Sequence, residues 1–150
     1  MIVGPYPVIN VIERLRARAP VLLDVGSAAD LQTALEQKPT LDCVAFVTSA
    51  ELGRKPKYTG PLYVQDVDVT LRVVLMVRNY SGQAAGTGAR DQMDQAVVPA
   101  VRAALLGWTP VDEFEGLTFQ AGRDERFDAG FLTTQQVFGT SYRMQQKISP

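Results

Sequence analysis

The stretch Gln65–Asn79 constrains the fold of this chain more than any other part of the sequence, because apolar side chains recur in it at every second position. Successive side chains of a β-strand point to opposite faces, so this alternation predicts one long strand. Its first face is apolar throughout and carries Val67, Val69, Leu71, Val73, Leu75 and Val77. The second face is polar at its start and apolar at its end, where Val74 and Met76 lie. That apolar end needs a cover, which either a helix of the same chain or a neighbouring subunit would supply.

Three segments are predicted to be helical. The first has apolar residues at helical spacing from Val8 to Leu15. The second begins at Ser27, which forms a capping-box pattern with Asp30. The third covers Asp91–Leu106 and contains a proline at position 99, whose ring removes a backbone hydrogen bond and predicts a kink.

Shorter runs rich in β-forming residues predict further strands at Val21–Val25, Leu41–Ala50 and Gly116–Gly122, and a long one at Phe131–Gln146. Helices and strands thus alternate early in the chain, and strands dominate its second half. This order predicts an α+β fold in which two to three helices pack on one face of a mostly antiparallel sheet. No repeat or linker interrupts the pattern, so we expect residues 1–150 to form a single domain.

The composition restricts the chemistry that the chain can perform. It has no histidine and one cysteine, Cys43, within the apolar run LDCVAFV. A Ser-His-Asp or Cys-His arrangement is therefore impossible, and Cys43 is expected to be a core residue. The formal net charge of −1 gives no reason to expect attraction to nucleic acid or anionic lipid. No apolar run approaches the ~18 residues of a membrane span and no signal-peptide pattern is present, so we expect a soluble protein of a reducing cytoplasm.

Two polar segments leave an enzyme or binding module open as an alternative. Asp66 and Asp68 share one strand face and could together hold Mg²⁺ or Ca²⁺. The glycine-rich stretch Ser81–Arg90 lies between a strand and a helix, as phosphate loops do, but its last glycine is not followed by the Lys and Ser or Thr of such a loop. We therefore predict no catalytic residue, no metal site and no cofactor, and we interpret Ser81–Arg90 as a flexible connector.

Two charged segments are predicted to be loops. Glu51–Pro61 contains two prolines, two glycines and the basic residues Arg54, Lys55 and Lys57. Ala121–Gly130 lies between two predicted strands and is interpreted as the loop of a β-hairpin. It carries Arg123, Asp124, Glu125, Arg126 and Phe127. Because complementary charges set the register between protein surfaces, we predict interfaces at both segments. We also predict one on the second face of the long strand, at Arg72, Val74 and Met76, where the apolar side chains need a cover.

The order of several segments resembles a known protein family. A helix ending in AALLGWTP (Ala103–Pro110) is followed by EFEGLTFQAGRDERFDAG and FLTTQQVFGTSYRM, and it is preceded by YVQDVDVTLRVVLMVRN and a glycine-rich connector. This arrangement resembles the tail terminator proteins of long-tailed bacteriophages. The stretch VINVIERLRARAP, with VGSAADL and LDCVAFV after it, is similar to the start of those subunits, so the resemblance covers nearly the whole chain.

The resemblance implies a structural virion protein and not an enzyme. Tail terminators form a hexameric ring on the head-proximal end of the tail tube, where the ring stops tube polymerisation and offers a docking surface to the head connector. The implied partners are further copies of the chain, the tail tube protein and the head–tail connector or neck proteins, with no membrane and no sequence-specific nucleic acid. DNA would pass through the ring lumen, and the protein would reach the virion tail or neck after assembly in the host cytoplasm. Another phage neck, head-completion or tail-tube component is the alternative within the same class.

Overall fold

The computed structural model describes residues 2–80 and 85–149. Within them the strands are β1 (Asp24–Gly26), β2 (Cys43–Gly53), β3 (Lys57–Thr59), β4 (Leu62–Arg78), β5 (Thr118–Asp128) and β6 (Phe131–Lys147). They form one sheet in the order β1-β2-β4-β6-β5, and β3 also pairs with β4, at the end of that strand that β2 leaves free. β1 runs parallel to β2, and every other pairing is antiparallel. The mostly antiparallel α+β sheet predicted from the sequence is confirmed.

The helices are α1 (Val8–Arg18), α2 (Ala28–Gln37), α3 (Ala85–Gln92) and α4 (Val98–Leu105), and a π-helical turn at Met93–Val97 joins the last two. The third helical segment therefore begins inside the predicted connector, whose residues 81–84 lie outside the described part of the chain. Pro99 lies in the first turn of α4. The wider turn before it, closed by Val98 N–H donating to the Met93 carbonyl, is where the helix adjusts to the missing N–H of the proline.

The main core lies between the first face of β4 and two of the helical segments, α1 and the α3–α4 segment. Leu15, Leu71 and Val101 are fully buried in it. Cys43 is also buried there, as predicted, and its burial raises the pKa of the thiol to about 11. Arg14 stacks on Trp108 at the rim of this core, with its guanidinium carbon 5.5 Å from the ring centre.

A second, smaller core lies on the opposite face of the sheet, beneath α2, so the helices cover both faces and not one face as expected from the sequence. It is made by Ala34, Val44, Phe46, Val74, Met76 and Phe131. The capping box predicted at the start of α2 is present, and Asp30 Oδ2 accepts a hydrogen bond from the Ser27 N–H at 2.8 Å. Of the two covers that the sequence left open for Val74 and Met76, the structure shows the chain's own helix, so these two residues are core residues and not exposed interface residues.

The predicted loop Glu51–Pro61 is partly β-structure, which corrects the sequence interpretation. β2 continues to Gly53, β3 pairs Lys57 with Val64, and only a short connection remains between them. Prolines and glycines mark the ends of these strands here, with Gly60 at φ 60° in the turn from β3 to β4. The prediction was wrong because prolines and glycines at strand ends do not prevent the residues between them from pairing as a strand as short as β3.

Candidate subunit interface

The charged segment Ala121–Gly130 is not a loop. β5 extends to Asp128 and joins β6 through a two-residue turn, Ala129 and Gly130, whose φ angles of 52° and 81° are both positive, as a type I′ hairpin turn requires. Arg123, Asp124, Glu125, Arg126 and Phe127 therefore lie on a strand. Each of them is exposed, since β5 is the last strand of the sheet and pairs only with β6 among the described strands.

Two β-bulges decide which side chains of β5 share a face. The pairing with β6 shifts at Gln120 and again at Glu125. As a result the face that carries the main core includes Phe119, Gly122, Asp124 and Phe127. The face that carries the second core includes Ala121, Arg123, Arg126 and Asp128. The bulges interrupt the simple alternation that identifies strands from sequence, and this is why the strand was mistaken for a loop.

Ion pairs connect the tip of the β5–β6 hairpin to two helices. Asp124 accepts a hydrogen bond from Arg90 of α3 at 2.7 Å, and Asp128 pairs with Lys38, directly after α2, at 2.7 Å. The hydrogen bond from Arg90 holds the pKa of Asp124 below its ordinary value, and Lys38 does the same for Asp128. Arg123 pairs with Glu125 in its own strand at 2.9 Å. Arg126 forms no ion pair with any residue that the structure describes.

The basic residues Arg54, Lys55 and Lys57 lie at the other end of the sheet. Lys57 is opposite Val64 near the start of β4, whereas Phe127 is opposite Leu132, which pairs with Val77 near the end of β4. We call these two regions the β3 end and the hairpin end. About 13 residues of β4 separate them, which corresponds to roughly 40 Å of strand. The sequence did not indicate that its two charged segments would be so far apart.

At the β3 end the carboxylates considered for a metal site are held by arginines. Asp68 accepts from Arg54 at 2.7 Å, and Asp66 accepts from Arg143 of β6 at 2.8 Å. These hydrogen bonds lower the pKa of both carboxyl groups. Within residues 2–80 and 85–149 no group of three or more potential metal-ligating side chains occurs. The arrangement is that of two ion pairs across the sheet surface, and Arg143, which sequence reasoning missed, faces Asp66 because the strand register places them opposite each other.

Arg72 lies midway between the two ends, on the same face of the sheet as Val74 but outside the part that α2 covers. It is exposed and is paired with Val137 of β6, so Gln135 is its diagonal neighbour on the same face. When the side-chain amide of Gln135 is turned so that its oxygen faces the donor and its nitrogen faces the acceptor, the oxygen accepts from Arg72 Nε at 3.1 Å. The nitrogen then donates to Glu125 at 2.8 Å. Arg72 is therefore connected to the hairpin end through one shared side chain.

The model of the phage tail terminator protein family matches residues 1–149 of the chain. The chain belongs to this family. No curated protein matches it. The resemblance noted in the sequence is thereby confirmed over essentially the whole chain.

Membership of the phage tail terminator family identifies the chain as a structural component of the bacteriophage tail and not as a member of an enzyme class. No described helix is both long and apolar enough to span a membrane. For a tail terminator protein, the surfaces that matter are those that meet other tail components. In this chain the hairpin end and the β3 end are the exposed, charged regions described above.

Proposed function

We propose that this tail terminator protein forms a hexameric ring on the head-proximal end of the tail tube, where it stops tube polymerisation and provides the docking surface for the head connector. The ring would be built from copies of one chain in a head-to-tail arrangement that closes by rotation. DNA would pass through its lumen, and assembly would take place in the host cytoplasm before the tail joins the head.

The observation that carries this proposal is the placement of two exposed, charged regions at opposite ends of one sheet. A protein that lies between a tube and a connector needs two separate contact surfaces, one for each neighbour. The hairpin end and the β3 end lie roughly 40 Å apart along β4, so a partner at one end leaves the other end accessible. Charged groups on both ends would set the register with the neighbouring rings.

The basic end and the hairpin end also differ in chemistry, which suits two different partners. Lys55 and Lys57 are exposed cations with no ion pair to any described residue, and they would attract an acidic surface. The hairpin end combines an exposed arginine, Arg126, with Phe127, whose surface is 47% exposed. An exposed aromatic residue beside an arginine is typical of an interface anchor.

Electron microscopy of tails assembled with and without the protein tests this function. Without it, tubes should grow past their normal length and should not join heads, and purified protein added to growing tubes should stop their elongation. Tubes of normal length that nevertheless fail to join heads would contradict termination and favour a neck or head-completion role. A protein found along the tube, and not at its end, would favour a tail-tube component.

A further inference from the structure

A groove lies between helix α4 and strand β5, on the face of the sheet that carries the main core. We call it the Arg102 groove. Its volume is about 440 Å³, and its lining includes Arg90, Asp94, Arg102, Phe119, Asp124 and Gln136. The groove is on one flank of the subunit, because β5 is the last strand of the sheet. A neighbour in a ring lies beside the subunit, so a groove on its flank is placed to receive one.

Arg102 is held in this groove with part of its guanidinium group unused. Its Nε donates to Gln136 Oε1 at 3.1 Å, and its Cζ lies 4.3 Å from the centre of the Phe119 ring. Within residues 2–80 and 85–149, neither terminal nitrogen donates to an acceptor and no carboxylate pairs with the group. A guanidinium that is already oriented binds a carboxylate through parallel hydrogen bonds with little loss of entropy. The groove therefore offers a site for one carboxylate.

Helix α1 forms the opposite flank of the same face. It contacts β1, β2 and α4. Arg14 donates to a backbone carbonyl of α4 at 2.9 Å, whereas Arg16 donates to a backbone carbonyl of β1 at 2.7 Å. Ile9, Glu13 and Arg16 follow one another at helical spacing, so they form a stripe that faces away from α4. We call it the α1 stripe.

The α1 stripe is exposed and carries an unpaired carboxylate. Ile9 is 58% exposed, and Glu13 and Arg16 are also exposed. Glu13 forms no ion pair with any residue that the structure describes. Its carboxylate is therefore available to a partner, as is the guanidinium of Arg102 on the other flank.

We propose that the α1 stripe of one copy packs into the Arg102 groove of the next copy in the ring. Glu13 then pairs with Arg102, and Ile9 packs against Phe119, whose side chain is 41% exposed. Complementary charge sets the register of the contact, and the two apolar side chains leave water together. This inference rests on the proposed ring and adds the residues that form the contact between its subunits.

The third residue of the α1 stripe also meets its complement. At the end of the groove nearer the hairpin end, Arg90 pairs with both Asp94 and Asp124. Two carboxylates share one guanidinium there, so one negative charge is left over. Arg16 of the next copy brings the matching positive charge. The stripe thus presents an acid and then a base to a groove that presents a base and then an acid.

The helix runs along the strands at the level of the groove. Just before α1 begins, the Tyr6 N–H donates to Glu51 at 2.7 Å, and Glu51 is paired with Val69 of β4. Near its end, Arg16 is bound to the part of β1 that shares a cross-strand row with Leu75 of β4. The α1 stripe therefore lies between the rows of these two β4 residues.

The groove occupies the same rows in the same order. From the β3 end toward the hairpin end it presents Phe119, Arg102 and Asp124, in the rows of β4 residues 71, 73 and 75. These rows span about 13 Å of strand, and Ile9 to Arg16 spans about 10 Å of helix. Rotation about an axis parallel to the strands keeps this order. The contact then needs no shift along the strands, so it closes into a ring and does not grow into a filament.

Strand β1 leaves room for this contact. It occupies the rows of β4 residues 74–76, which are also the rows of Arg123–Arg126 in the tip of β5. The edge of β1 would therefore face the tip of β5 in the next copy. Glu13 and Arg102 meet on the helix side of the sheet, and no strand has to enter between the copies.

Exchanging the two charges tests the contact. Glu13→Arg and Arg102→Glu should each reduce the fraction of assembled protein at least tenfold in light scattering, because each variant brings like charges together. The double variant Glu13→Arg with Arg102→Glu should restore assembly. Glu36→Arg is the matched control, since it reverses an exposed charge on α2, away from the contact, and should assemble normally. Thermal melts establish that each variant is folded.

Cysteine cross-linking supplies a second measurement that does not depend on charge reversal. Glu13→Cys with Arg102→Cys removes both charges together, and a short bismaleimide should convert the assembled double variant into a ladder of covalent oligomers. The native Cys43 is 2% exposed and should not react. Each single variant should give no ladder, because a head-to-tail contact never brings identical positions together. A covalent dimer from Glu13→Cys alone would overturn the proposal, since it would show two α1 helices facing each other.

The outcomes separate this inference from the proposed function. Normal assembly of both single charge reversals, with no ladder from the double cysteine variant, would refute the contact and leave the ring intact. If Arg102→Glu weakened attachment to tubes or connector without changing the oligomeric state, the groove would belong to a different protein and the proposal would fail. A wild-type protein that stays monomeric in solution and on tube ends would refute the ring and, with it, the contact.

Discussion

The hairpin end and the β3 end carry similar numbers of exposed charges, but the protein holds those charges in different ways. At the hairpin end, Asp124 and Asp128 are tied by ion pairs to Arg90 and Lys38, which belong to or follow two helices on opposite faces of the sheet. At the β3 end, Arg54 is paired across the sheet surface with Asp68, while Lys55 and Lys57 have no ion pair among the described residues.

The two ends differ in the side-chain entropy that they would lose when a partner binds. Side chains that are already held in one conformation lose little entropy on binding, whereas free lysines lose up to about 2 kcal/mol of rotamer freedom each. At the hairpin end Asp124 and Asp128 are thus already fixed before a partner binds, whereas Arg126 has no ion pair among the described residues. The β3 end can adapt its cations to a surface whose details vary.

The largest effect is expected on the stability of the whole fold, from a substitution in the core that should affect both ends equally. Val74→Asp places an unpaired charge in the core beneath α2, where Val74 is 8% exposed, and should destabilise the fold by on the order of 3 kcal/mol or more. Ala50→Asp introduces the same charge on the same face at an exposed position and should cost less than about 1 kcal/mol. Chemical denaturation measures both. Equal loss of stability in the two variants would show that α2 does not cover Val74.

The next prediction separates the two ends. The double variant Arg126→Glu with Phe127→Ala should weaken attachment of the partner at the hairpin end at least tenfold, since an aromatic anchor and a complementary charge are both lost. Lys55→Glu with Lys57→Glu should do the same at the β3 end. Both variants should keep the wild-type melting temperature, because all four side chains are exposed. Titration with tail tubes and with the connector identifies the partner, and loss of both attachments in one variant would break the assignment of one partner to each end.

A smaller effect is expected when the hairpin is released from α3. Arg90→Ala removes the hydrogen bond to Asp124 and the pair with Asp94, and should loosen the end of β5 with a loss of stability under about 1 kcal/mol, because these groups are partly exposed. Hydrogen exchange of the β5 backbone amides should become faster. Arg123→Ala is the matched control, since its partner Glu125 lies in the same strand and fixes no second element. Similar exchange in both variants would show that Arg90 does not fix this end of β5.

The smallest effect is expected from pH between 5 and 8. The chain contains no histidine, so no side chain with an ordinary pKa titrates there. Basic partners lower the pKa values of four carboxyl groups, those of Asp66, Asp68, Asp124 and Asp128. Their contribution to the free energy of unfolding is therefore present above the ordinary carboxyl pKa and is lost as the pH falls through the lowered folded values. Burial raises the pKa of Cys43 from 9.0 to about 11, so the contribution of this thiol to the free energy of unfolding is lost as the pH rises from 9.0 to about 11. Thermal melts across pH 2–11 should show a flat middle, and a transition near pH 6 would be inconsistent with this account.

The long strands could be predicted from the sequence for two different reasons. β4 has apolar residues at every second position from Val67 to Val77, whereas β6 is a long run without charge from Phe131 to Tyr142. The capping box at Ser27 places the start of α2. β5 could not be predicted in full, since its bulges at Gln120 and Glu125 move the side chains out of register with a period of two. The charges of its second half, which lie between Gly122 and Gly130, indicated a loop instead of a strand.

The candidate surfaces were only partly predictable. The exposed charged residues of both ends were identified, but the pairing of Asp66 with Arg143 and of Asp124 with Arg90 depends on strand register and helix placement across more than 30 positions of sequence. The burial of Val74 and Met76 depends on which face α2 packs against, and a single amphipathic pattern does not contain that choice. The Arg102 groove became visible only once the order of strands and the placement of α4 were known.

The pairing of β4 with β6 also determines the length of the subunit along its strands. Both strands have 17 residues, and every residue from Leu62 to Arg78 has a partner from Lys147 to Phe131. The subunit is therefore spanned by a ladder of constant length, roughly 55 Å, with no hinge in it. A longer or shorter spacer would require equal insertions or deletions of two residues in both strands, because a one-residue change in either would turn the core side chains outward. The separation between whatever binds at one end and whatever binds at the other is thus a property of the backbone, and single substitutions on the surface cannot alter it.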